Sequence, residues 1–137
     1  MRYWLVKSEP GSWSWDDHVK VGVEPWNGVR NYQAANNMKA MKIGDKAFFY
    51  HSVKEKQIVG IVEVCAEAHP DSTTDDARWE CVDIKALRPF TTSVTLEAIK
   101  AEPRLADMVL VNNSRLSVQP VSDAEWALIC KMGKTAP

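Results

Sequence analysis

"RYWLVKSEP", residues 2–10, sets how the chain begins: an alternating apolar run stops abruptly in a cation, a hydroxyl, an anion and a proline. Tyr3, Leu5 and Lys7 alternate with Trp4, Val6 and Ser8, the period of a β-strand over 2–7. Pro10 and Gly11 end it. The polar end of this strand, with Trp13, Trp15 and Trp26 close behind, has the composition of a ligand site.

Working outward, Ser14-Trp15-Asp16-Asp17 reads as a capping box, and Trp13 and His18 take the positions of a hydrophobic staple. A short helix over 15–20 follows, ended by Gly22. Pro25, Asn27 and Gly28 predict a loop that presents Trp26. From Asn31, the apolar residues Tyr32, Ala35, Met38 and Met41 recur at helical spacing, with Gln33, Asn36 and Lys39 on the other face. Asn31 caps this helix and Gly44 lies beyond its end.

The period then changes to two. "KAFFYHS", 46–52, is a strand with Ala47, Phe49 and His51 on one face and Phe48, Tyr50 and Ser52 on the other. "KEKQ" is a polar turn, and "IVGIVEVCAEA", 58–68, pairs back as a hairpin, with Gly60 marking a bulge or tight bend. "DSTTDD" is a loop and "RWECVDIKAL", 78–87, the next strand. "FTTS" resembles a loop insertion, "TLEAIK" a helical turn, and "RLSVQPV" a last strand. Ser122 and Glu125 form a second capping box, with Val121 and Trp126 as its staple, and the helix runs to Gly133. About five strands and three or four short helices without βαβ alternation predict an α+β fold. The expected form is a small, mostly antiparallel curled sheet or β-barrel decorated by short helices, one domain over 1–137.

Composition bounds the function. The 137 residues are 45% hydrophobic and 26% charged with net charge −1, so no global field attracts nucleic acid. Any such contact must use a local patch. Cys65, Cys81 and Cys130 lack C-x-x-C spacing, and His18, His51 and His69 are scattered, so no disulfide framework, metal or other cofactor is expected. No segment approaches the ~20 apolar residues of a membrane span, and Lys7 and Glu9 interrupt the first apolar run. A reducing cytoplasm, no membrane partner and a monomer are the expectations.

The chemistry-bearing residues fall in two places. Trp26 to Gln33 supplies a loop tryptophan, a glycine for close backbone approach, and Arg30 and Asn31 at a helix start, where free N–H groups suit an anion or an acceptor edge. Tyr50, His51 and Ser52 end a strand, where they can converge with Lys7 and Ser8. A hydrolytic triad would have to use Ser8 or Ser52 with His51 and Glu9, and no G-x-S-x-G elbow accompanies them. No Gly-rich phosphate loop is present. Lys39, Lys42, Lys46, Lys54 and Lys56 form the basic concentration, extended by Arg30; Asp45 and Glu55 partly offset it.

"YWLVKSEP", "WNGVRNYQAANNM", "GDKAFFYHS", "IVGIVEV" and "SRLSVQPVS", in this order from Tyr3 to Met132, resemble the EVE domain family. The resemblance implies a PUA-like fold, similar in architecture to YTH domains. It also implies a non-enzymatic module that reads a modified base in DNA or RNA, notably a modified cytosine, flipped out or single-stranded. By motif, Lys7, Ser8, Trp26, Asn31, Tyr50, His51, Ser52 and Ser117 would bind the base, with Trp26 stacking on it and Arg115 a further candidate. Arg30, Lys39 and Lys42 would meet the nucleic-acid backbone. Ala35 stands where the family often has arginine, and "FTTS" departs from the pattern. The alternative is a small ASCH-like hydrolase of a modified nucleoside, using Lys7 and Glu9; a third reading is a protein-interaction module.

Overall fold

The edge of the first strand organises the molecule. The computed structural model describes Met1–Pro137, and in it β1 (Tyr3–Ser8) lies between β3 (Lys46–His51) and β6 (Val118–Val121). With β2 (Val23–Pro25), β4 (Gln57–Pro70) and β5 (Glu80–Thr95) they form one six-stranded sheet in the order β2-β5-β4-β3-β1-β6. All ladders are antiparallel except β1–β3, which is parallel with Lys7 opposite Tyr50 and Ser8 opposite His51. The sheet runs from β2 to β6 without a ladder between them, so the expected barrel closure is replaced by an open, bent sheet.

Bending comes from the two longest strands. The β4–β5 register slips between Ile58 and Gly60, Ile61 and Val62, and twice more before His69. Pro89, which donates no ladder hydrogen bond, sits opposite Gly60 at one slip. The β3–β4 ladder slips at the same place, between Phe49 and Tyr50. A Cβ on Gly60 would lie 2.6 Å from the Trp15 ring, so glycine here admits an indole against the backbone.

The helices form where their caps predict. α1 (Trp15–Val21) has the full Ser14–Asp17 capping box and ends at Gly22 with φ 79°. α2 (Tyr32–Ala40) is capped by Asn31 Oδ1, which accepts the Ala34 N–H at 2.9 Å. Its buried face is Ala34, Ala35 and Met38, with Met41 covered at the cap; Tyr32 is exposed rather than inward. α3 (Leu96–Ala101) and α4 (Val109–Asn112) precede β6, and α5 (Asp123–Met132) begins at the Ser122–Glu125 box.

Several expectations are corrected. "FTTS" lies within β5 instead of forming a separate loop: Pro89 pairs with Gly60 and Val94 with Ile58, so residues 90–93 are the extra residues taken up at that slip, and the ladder resumes to Thr95. Val23–Pro25 is a short edge strand on β5, with Pro25 at its end where no donor is needed. The last strand starts at Val118, not Arg115.

Both sheet faces are covered, which is why Trp4, Leu5 and Val6 are all buried. One face packs Trp4, Trp15, Trp26, Met38 and Phe49 together. The other packs Leu5, Phe48, Ile58, Ile99 and Trp126. On the second face Trp126 stacks on Phe48 at 3.9 Å and on Tyr3 at 4.3 Å. Buried Asp45 ties the start of the sheet by accepting the Trp4 indole N–H and the Arg2 and Lys42 backbone N–H groups. Burial opposes ionisation of this carboxyl, but these bonds together hold it below the ordinary value.

Candidate nucleic-acid interface

Parallel pairing of β1 with β3 brings their C-terminal ends to one edge, so Lys7–Ser8 and Tyr50–Ser52 meet there; the Ser52 N–H donates to the Ser8 carbonyl at 2.9 Å. Two hollows open at this edge. The first, of about 590 Å³, is lined by Lys7, Ser8, Glu9, Trp13, Trp26 and Asn31, among others, including Arg30 and Ser117. That volume is in the range of small-molecule sites.

Its wall is built on an imidazole. Trp13 donates its indole N–H to His18 Nδ1 at 3.1 Å, and the other ring nitrogen therefore carries the proton given to the Ile84 carbonyl at 3.0 Å. Trp26 lies 6.0 Å from the same imidazole and edge-on to Phe49 at 5.7 Å. Burial pushes the His18 pKa down, against the pull of the Ile84 carbonyl, so the neutral ring is favoured. Trp26 itself is 9% exposed, so it is wall and core at once instead of a residue held out by a loop. Its backbone N–H is fixed on the Val82 carbonyl at 2.8 Å.

The loop after Trp26 is pinned by a buried carboxylate. Asp71 accepts from the Gly28 N–H at 2.8 Å and from Arg30 at 3.0 Å, and also from Thr73. Burial opposes its ionisation, yet the Thr73, Gly28 and Arg30 donors outweigh it and hold Asp71 well below the usual carboxylate range. Arg30 also bonds Thr73 and lies over the Trp79 ring at 5.5 Å. Its guanidinium thus anchors the loop while lining the hollow.

The polar groups are partly committed. Ser8 Oγ donates to the Trp13 carbonyl, which leaves its lone pairs as acceptors. Lys7 Nζ donates to the Ser114 carbonyl at 2.6 Å and lies 5.8 Å from the Tyr50 ring; burial lowers its pKa. Asn31 uses its oxygen in the cap, and its amide N–H groups have no protein acceptor.

The remaining expected residues lie elsewhere. Tyr50 and Ser52 line the second hollow, of about 570 Å³, on the far side of a ridge formed by Lys7 and Ser117. His51 lines neither: its Nε2 accepts the Trp15 N–H at 3.0 Å, and Nδ1 donates to Glu55 at 2.8 Å. Lys39 pairs with Glu80 and bonds the Arg78 carbonyl near the other end of α2, and Lys42 follows that end. Arg115 is exposed and lines neither hollow. Trp13 and Glu9 line the first hollow, and Asp71 and His18 support it. The staple position of Trp13 and His18 was the available sequence clue to their contact. Nothing local marks Asp71, whose partner Arg30 is 41 positions away.

The fold, with its tryptophan-walled hollow at one sheet edge, is that of a known class of small domain. The EVE domain model matches residues 2–132, and the chain belongs to the EVE domain family. Among relatives, mouse thymocyte nuclear protein 1 is 36% identical over 98% of this chain and 75% of its own length. A solved Agrobacterium tumefaciens protein is 54% identical with TM-score 0.96, covering 99% of this chain and 95% of that one. The human THYN1 protein, solved in complex with 5-methylcytosine-containing DNA, is 32% identical with TM-score 0.91 over the whole of both chains. A YTH domain from Zygosaccharomyces rouxii, at 18% identity and TM-score 0.58, shares the fold. No helix is long and apolar enough to cross a membrane.

Proposed function

We propose that this protein is a non-enzymatic reader of a modified nucleobase, a modified cytosine presented flipped out or in a single strand. The observation that carries the reading is the first hollow, where Trp13 and Trp26 form an aromatic wall beside Lys7, Ser8, Glu9 and Asn31. A cytosine offers an amino donor and two acceptors on its pairing edge. Glu9 suits the amino group; the free Asn31 amide N–H groups and Lys7 suit the acceptors. The binding of 5-methylcytosine DNA by the THYN1 relative supports the choice of base. Burying one methyl group supplies about 0.8 kcal/mol, roughly a fourfold preference.

A hydrolase using a Ser–His pair is disfavoured, because His51 Nε2 is occupied by a backbone donor and offers no base to Ser8 or Ser52. Burial pushes Cys81 and Cys130 up to about 11, so neither is a thiolate nucleophile near neutrality. One observation favours the second reading, an ASCH-like hydrolase: Lys7, with its lowered pKa, lines the same hollow as Glu9. Calorimetry with single-stranded oligonucleotides, methylated and unmethylated at one cytosine, tests the reader. The expected result is tighter binding of the methylated strand. Equal heats would remove the reading, and release of product from methylated or acylated cytidine would replace it with the hydrolase.

A further inference from the structure

The base hollow does not stand alone. Lys7, Glu9 and Ser117 line both the first hollow and the second, so a low ridge joins them. The second in turn shares Val53, Lys56 and Leu96 with a third hollow, of about 670 Å³, which adds Lys54 and Lys100. The three adjoin through these shared walls, the second and third running along the β3–β4 turn. Four lysines line the second and third hollows, against Glu9, Glu55 and Glu97; Glu55 is tied to His51. Lys54, Lys56 and Lys100 take part in no ion pair. The Arg30 and Lys39 side chains, by contrast, are both paired with acids.

The first hollow offers less free positive charge on its other walls. Glu24 lines it without an ion pair, and the cations near it are committed, Arg30 to Asp71 and Arg78 to Asp76. A phosphate backbone leaving along that wall would meet no unpaired cation. The lysine side also carries a strained turn: Val53, a β-branched residue, has φ 70° and is 61% exposed at the rim of the second and third hollows. Such backbone persists only where the surroundings impose it, and it gathers at functional sites.

Resting on the base-reading function, we infer that the nucleic-acid strand crosses the Lys7–Ser117 ridge and continues over the second and third hollows. Its phosphates meet Lys56, Lys54 and Lys100. Tyr50, Leu96 and Leu110 supply the partly apolar floor for the neighbouring sugar or base. The residues contacting the strand backbone are then those of the β3–β4 turn and α3, and the α2 pair Lys39 and Lys42 lies off the path.

The test compares the wild type with the triple variant Lys54→Gln, Lys56→Gln, Lys100→Gln across a salt series. The probes are a single-stranded DNA nonamer with one central 5-methylcytosine, and the trimer made of its middle nucleotides. All three lysines are exposed, so an unchanged melting temperature is expected. The nonamer should bind the variant about tenfold more weakly, with a log–log salt slope shallower by about 2, while the trimer binds both proteins alike. Nonamer affinity and slope equal to wild type would overturn this path and leave the base reading intact. A loss reproduced instead by Lys39→Gln with Lys42→Gln would also overturn it, by routing the strand along α2. Failure of wild type to bind either oligonucleotide would remove the base reading, and the path with it.

Discussion

Trp26 and Trp126 occupy opposite faces of one sheet, and both are covered by protein, at 9% and 1% exposure. Trp126 lies in a closed layer: stacked on Tyr3 and Phe48, held on α5, with its indole N–H buried and without a partner. Trp26 sits where the covering element is a loop, whose Gly28 and Arg30 are held by Asp71, and a hollow remains beside it. Tryptophan content alone therefore says nothing of binding. What separates a core indole from a site indole is whether a helix or an anchored loop closes over it.

This contrast sets the expected effects, beginning with the largest. Trp126→Ala should cost about 3–5 kcal/mol of stability, measured by denaturant unfolding, while the folded fraction keeps its affinity for the methylated strand. Weakened binding by the folded fraction would mean the two faces are not independent. Trp126→Phe should cost less, because it also deletes the orphan donor. Trp26→Ala should lose about 1–3 kcal/mol of binding free energy and also some stability, since this ring packs on Phe49. Unchanged affinity in a calorimetric titration would assign Trp26 to the core alone.

A smaller effect is expected from pH. His18 has a lowered folded pKa, so the stability its neutral ring contributes is present above about pH 6.5, its ordinary value, and is lost as pH falls through the lowered value. A protonated ring donates at both nitrogens and cannot accept from Trp13, which should loosen the site-side wall and weaken base binding in the same window. Trp126 should be untouched; its fluorescence and that of Trp13, separated by single-tryptophan variants, would check this. Smallest is Val53→Gly, which removes a left-handed conformation worth about 1–2 kcal/mol for a side chain but adds unfolded-state freedom. A net gain of at most about 1 kcal/mol in unfolding free energy, read from denaturant titration, is expected.

Much of this architecture is written locally in the chain. Both capping boxes, the Asn31 cap and the face alternation of 46–52 follow from neighbouring residues, and the structure has them where the pattern puts them. The meeting of Lys7 and Ser8 with Tyr50 and Ser52 was legible as a convergence of strand ends. Their division between two hollows was not, because the ridge depends on Ser117 arriving from β6's approach, more than a hundred positions away. Strand β5 was read short because "RPFTTS" carries turn-forming residues, and only the slipped register against Gly60 accommodates Pro89. His51 is legible as a strand-end imidazole, but not its partners: its nitrogens are claimed by α1 and by the following turn, contacts set by tertiary packing.

Gly60 gives this arrangement a mechanical side. The Trp15 ring rests on its bare backbone, and the N–H of Trp15 is hooked to His51 on the neighbouring strand. Two residues upstream of that ring stands Trp13. Even one methyl group at position 60 would act as a wedge under the first helix and tilt the aromatic panel at its head, so the shape of the first hollow is calibrated by an atom missing from a strand that does not line it.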